Sequence, residues 1–251
     1  MKLSQIISKI ETEFPICDAY SWDNPGLLVG DTSSEVSRIL VTLDITENVV
    51  DEAITYGANL ILSHHPIFFG GAKNITTATP EGRAVLKAIR NGINIYAAHT
   101  NCDVGKNGIN ARLAEMFGLC DIEYLEENGL GRIGNLENPI PFYDFSKIEC
   151  NILKTPHVRV SGENIPVKRI AVGSGACSDS IPSAISKKAD VMITADMKYH
   201  EMITMTELDI NIIDAGHYPT EIIVMDIFRD ILSDFDVEII KSNNSDIFKY
   251  I

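Results

Sequence analysis

The feature that most constrains this chain is an alternation of short strand-like apolar runs with longer amphipathic ones, sustained along most of its length. RILVTLD (38–44) is followed by ENVVDEAITYG, NLILSHHP, EGRAVLKAIRNG, INIYAAHT and GINARLAEMFG. The second half runs RIAVGSG (169–175), SDSIPSAISKKA, DVMITADM, KYHEMITMTEL, INIIDAGH and EIIVMDIFRDIL. Strands alternating with helices in this way predict an α/β fold with mostly parallel strands. The halves also match each other without gaps: Arg38, Ile39 and Val41 fall on Arg169, Ile170 and Val172, and Ala53, Ile54 and Ala58 fall on Ala184, Ile185 and Ala189. Ile93-Asn94-Ile95 then pairs with Ile210-Asn211-Ile212. We therefore expect an internal duplication giving two similar α/β domains, 1–127 and 128–251, with the C-terminal helix free to pack on the first. The stretch from Asn128 to Pro166, richer in Gly, Pro and Asn, is the expected connection.

Composition narrows the function. With 251 residues, 45% of them hydrophobic, there is ample material for a core. The opening MKLSQIISKIETEF reads as an amphipathic helix and not as a signal peptide, and no apolar run is long enough to span a membrane. Cysteines at 17, 102, 120, 150 and 177 form no close pairs, which suits reduced, buried thiols and a cytoplasmic setting. A net charge of -14, with no Lys/Arg-rich run, disfavours nucleic acid as a partner.

Three strand ends concentrate metal-ligand residue types, and in open parallel sheets sites form beyond the carboxyl ends of the strands. Ser63-His64-His65-Pro66 closes NLIL. Adjacent strand side chains point to opposite faces, so a His pair there suits two metals better than one, although each could instead bond a backbone carbonyl. In His99-Thr100-Asn101-Cys102-Asp103, Asp103 offers a hard oxygen on a loop, or else an Asx turn or helix cap. His99 is a ligand, a donor behind a ligand, or a substrate contact. In Gly216-His217-Tyr218-Pro219-Thr220-Glu221, a helix starting near Pro219 would put Glu221 in its first turn, with His217 four residues away. Ordinary helix-start chemistry is the competing reading. Gly129-Leu130-Gly131-Arg132-Ile133-Gly134 satisfies GxGxxG, but no helix pattern follows, so it is not a dinucleotide fingerprint. Ser174 in GSGAC lacks the spacing of a nucleophile turn.

Six segments, SWDNPGLLVGD (21–31), SHHPIFF (63–69), AAHTNCD (97–103), GLGRIGNL (129–136), TADMKYHE (194–201) and DAGHYPTE (214–221), together resemble the Nif-three-like family, also known as GTP cyclohydrolase 1 type 2 homologues. The resemblance spans nearly the whole chain and is to the short form that lacks an inserted domain. It implies two α/β domains facing a cleft, a dinuclear metal site there, and a ring-shaped homohexamer. The family's ligands fall on His64, His65, Asp103, His217 and Glu221. One departure is Thr194-Ala195-Asp196 where Thr-Gly-Asp is commoner.

These readings lead to a metal-dependent hydrolase holding two divalent ions (zinc, iron, manganese, cobalt or nickel). A bridging water and Glu221 would lie between the ions, with His99 and His200 as candidates for proton transfer and a small anionic substrate, a nucleotide among the candidates. For His200 a core role is the alternative. The alternative for the whole chain is a non-enzymatic metal-binding hexameric scaffold or metal-handling protein.

Overall fold

A computed structural model describes residues 1–249. Two compact units result, each described in turn. The first comprises residues 1–105 together with Val224–Ser245, and the second begins at Lys106 and runs to Ile223. The units thus divide at 105/106 and 223/224, whereas the composition shift suggested 127/128.

In the first unit α1 (Leu3–Glu13) is followed by β1 (Gly26–Val29), β2 (Arg38–Thr42), α2 (Glu47–Tyr56), β3 (Leu60–Ser63), α3 (Pro80–Arg90), β4 (Asn94–Ala97) and α4 (Thr100–Val104). Strands β2, β3 and β4 are parallel neighbours and β1 pairs antiparallel to β4. The helix boundaries have local causes. Thr46 accepts from Val49 N to cap α2, Gly57 ends it at φ 67, and Thr79 caps α3 with Pro80 in its first turn. Val49, Val50 and Ala53 of α2 and Ala84, Val85 and Ala88 of α3 join Leu40, Ile61 and Ile95 of the sheet in one apolar cluster. β3 and β4 are buried throughout, which is why they read as unbroken apolar runs and not as alternating ones.

The second unit contains α5 (Ile109–Met116), β5 (Cys120–Tyr124), β6 (Arg132–Pro141), α6 (Phe142–Leu153), β7 (Arg159–Ser161), β8 (Pro166–Val172), α7 (Ile181–Ser186), β9 (Val191–Thr194), α8 (Tyr199–Glu207), β10 (Asn211–Asp214) and α9 (His217–Glu221). The chain then returns to the first unit as α10 (Val224–Ile231) and β11 (Glu238–Lys241), which pairs parallel to β2. The sheet of the second unit runs β5-β6-β8-β9-β10-β7, with β8, β9 and β10 parallel and β7 antiparallel to β10.

The order β7-β10-β9-β8 has the same sequence of directions as β1-β4-β3-β2, and details recur. Asn59 Oδ1 accepts from Ser37 N and Arg38 N; Asp190 Oδ2 accepts from Lys168 N and Arg169 N. Asn94 opens β4 and bonds Asp31 N; Asn211 opens β10 and bonds Glu163 N. Each amide fills the space beside a positive-φ glycine. A Cβ would meet Asn94 Oδ1 at 2.1 Å from Gly30 and Asn211 Oδ1 at 1.8 Å from Gly162.

Three expectations need correction. Residues 128–166 are not a loose connection, because they form β6, α6 and β7, and RIGNLENPIP is a strand whose prolines lie near its end. The cysteines are free but not all buried: Cys17 and Cys120 are exposed and Cys150 is half-buried. Glu221 ends a five-residue helix that begins at His217, so the first-turn argument for it fails. Among the described residues no helix is long and apolar enough to cross a membrane.

Candidate functional site

β3 ends at Ser63, whose hydroxyl donates to the His65 carbonyl at 2.8 Å and curls the chain there. His64 and His65 therefore lie beyond the pleat, and the opposite-face expectation does not hold. Their rings are 5.0 Å apart, and His99, beyond the end of β4, stands 5.0 Å from His64 and 5.4 Å from His65. One ring nitrogen from each of the three lies within 4.8 Å of the others, the arrangement of a candidate cation site. Asp103 is carried by the one-turn helix α4, not by an open loop, and its Oδ1 is 3.7 Å from His64 Nε2.

Each ring is fixed from behind. His64 Nδ1 faces the Ala98 carbonyl at 2.9 Å, His65 Nδ1 faces Asp44 Oδ1 at 2.7 Å, and His99 Nδ1 faces Asp23 Oδ1 at 2.8 Å. Oxygen acceptors at these positions place the proton on Nδ1 and direct Nε2 of each ring away from its acceptor. Asp23 also accepts from Thr100 N at 3.0 Å and Thr100 Oγ at 2.6 Å. Burial pushes its carboxyl upward, but the bonds from His99, Thr100 and the backbone of Asn24 outweigh that and bring it down to about 2. Asp23 is therefore ionised at neutral pH.

The second unit repeats the device. His217 Nδ1 faces Asp196 Oδ2 at 2.7 Å, and its Nε2 meets Glu221 Oε2 at 2.9 Å. Asp196 adopts φ 57, a left-handed position that Asp tolerates better than most residues. Glu221 is buried, and Gly175, at φ +56, makes room for it: a Cβ there would lie 2.0 Å from Glu221 Oε1. Gly175 N donates to Thr220 Oγ at 3.0 Å, holding the two segments together. His200 does not join this group. It is exposed on α8, with its ring against Tyr199 at 5.6 Å, so a core role is excluded.

Sequence reasoning missed Asp44 and Asp196, and gave Asp23, within the family segment 21–31, no role behind a histidine. Asp44 and Asp23 stand 21 and 76 residues from the histidines they orient. Their only sequence signal was an Asp close after a strand or inside a family segment.

The fold and its donors define a class: an α/β protein whose strand ends carry oriented imidazoles and carboxylates suited to divalent cations. The family described as Duf34/NIF3 (NGG1p interacting factor 3) matches residues 1–247, and this chain belongs to it. A GTP cyclohydrolase 1 type 2 homolog of Clostridium perfringens is 37% identical over 228 residues, covering 88% of this chain and 87% of that protein. One of the same name from Methanocaldococcus jannaschii is 36% identical over 244 residues, covering 96% and 98%. The crystal structure of the Staphylococcus aureus hypothetical protein SA1388 superposes with a TM-score of 0.93 at 29% identity, covering 100% of this chain and 99% of that one.

Proposed function

We propose that this chain is a dinuclear, divalent-metal-dependent hydrolase acting on a small anionic substrate such as a nucleotide. Its ligands would be His64, His65, Asp103, His217 and Glu221. The observation that carries this reading is the backing of each ligand imidazole. Two aspartates and one carbonyl occupy Nδ1 of His65, His217 and His64, the pattern by which proteins orient metal-bound histidine. Nitrogen and oxygen donors alone suit zinc, iron, manganese, cobalt or nickel. Two such ions would supply Lewis acidity, a water made nucleophilic near neutral pH, and positive charge that attracts an anionic substrate.

The chain's own residues do the rest. Asp23 keeps the Nδ1 proton on His99, so Nε2 is the atom that takes a proton from an attacking water and returns it to a leaving group. Asp44 and Asp196 hold His65 and His217 in the same tautomer. Internal duplication accounts for the paired Asn–Gly devices, and a homohexamer is the assembly expected from the family resemblance.

Elemental analysis of purified protein, paired with a panel of phosphoesters and nucleotides with and without added metal, tests the reading. We expect about two ions per chain in the wild type, a clear loss in His65→Ala, and metal-dependent turnover. Equal metal in wild type and His65→Ala, below about one ion per chain, refutes the site. Turnover that survives both chelation and Glu221→Ala refutes the mechanism. Full metal occupancy without turnover identifies a metal-holding scaffold instead. Asp44→Asn should weaken metal binding by about 10–100-fold without unfolding the chain.

A further inference from the structure

Two exposed aromatic rings stand against His99, and the proton chemistry assigned to that histidine does not use them. Trp22 is 58% exposed and meets the His99 ring edge-on at 5.9 Å; Phe69 is 52% exposed and meets the same ring edge-on at 5.5 Å. Tyr20 stacks on Trp22 at 5.8 Å with the planes 10° apart, and Phe69 also lies 6.3 Å from His65. These rings are not loose surface side chains. Tyr20 N donates to Thr100 Oγ at 3.0 Å, Asp23 bonds His99, and Asn24 Nδ2 donates to the Phe68 carbonyl at 2.8 Å. The loop bearing Trp22 is thus tied to both the histidine cluster and the segment bearing Phe69. Apolar rings held open to solvent beside a reactive cluster mark a ligand surface more than a packing accident.

We propose that Trp22 and Phe69 form a stacking platform for the flat heteroaromatic ring of the substrate, whose anionic tail reaches the histidine cluster. Ring faces of this kind take either a planar π-system or a cation. A site carrying divalent ions repels a cationic guest, so a nucleobase-like heterocycle is the ligand class selected. This inference rests on the metal reading above.

Trp22 is the only tryptophan in the chain, so intrinsic fluorescence reports on the platform directly. The intact protein, metal-loaded and after chelation, is titrated with GMP, AMP and ribose 5-phosphate. Saturable quenching by the nucleotides but not by ribose 5-phosphate is expected, and Phe69→Ala should bind them about tenfold more weakly with its metal content unchanged. Three outcomes overturn the proposal: no saturable quenching by either nucleotide, equal affinity for ribose 5-phosphate, or unaltered nucleotide affinity in Phe69→Ala. Loss of assembly in Phe69→Ala by sedimentation, without any nucleotide response in the wild type, assigns the patch to a subunit contact and also overturns it. Nucleotide quenching in protein that takes up no metal when metal is supplied supports the platform while refuting the metal centre. Metal binding without quenching does the reverse.

Discussion

Asp23, Asp44 and Asp196 each sit 2.7–2.8 Å from the Nδ1 of a histidine, and this pairing gives the site its order. The histidines themselves were legible, since two adjacent His at a strand end and a His four residues before a Glu are uncommon patterns. Their aspartate partners were not, because a hydrogen bond across 76 residues leaves no trace in local spacing. Glu149 is the opposite case, a carboxyl with no visible purpose. It lies fully buried on α6, neither oxygen has a hydrogen-bonding partner among the described residues, and burial raises its pKa well above 4.5. A group whose folded pKa is raised stabilises the fold below its unfolded pKa, and that contribution is lost as pH rises towards the folded value. As pH rises through and above the ordinary carboxylate range, the wild type should therefore lose more melting temperature than Glu149→Gln. Parallel melting curves for the two proteins would show that Glu149 does not titrate in this range.

At the level of elements, long periodic segments were read well and short ones poorly. β3 and β4, with buried residues at every position, and α2 and α3, with Thr caps, announce themselves. α4 and α9 have five residues each, too few to show a period, so Asp103 was assigned to a loop and Glu221 to a first turn. β6 was hidden for another reason. Its residues run from buried to exposed along its length, and α6 and β7 stand between it and its partner β8. α10 joins the first unit by an apolar face: Val224, Met225, Ile227 and Phe228 are buried, and it packs on β2 and α1. Phe228→Ala should cost about 3–5 kcal/mol in chemical denaturation. A loss below about 1 kcal/mol would show that the helix contributes little to the core.

For the whole molecule, the decisive feature is the return of the chain. β11 adds to β2 in register from Glu238 opposite Arg38 to Lys241 opposite Val41, and Ser242 Oγ donates to Thr42 Oγ at 2.9 Å. Deleting residues 233–251 should therefore speed amide hydrogen exchange at Ile39–Val41 in the first unit, while Val191–Ile193 of the second keep their protection. Uniform loss of protection across both sheets would refute the division into units. The sequence by itself determined the α/β class, the parallel strand runs and the histidines and carboxylates at strand ends, because period and burial along a strand are local properties. Only the tertiary structure decided where the units divide, which aspartate stands behind each imidazole, and that Trp22 and Phe69 share His99. Those facts depend on which distant segments the hydrophobic core brings together, and no spacing along the chain encodes that choice.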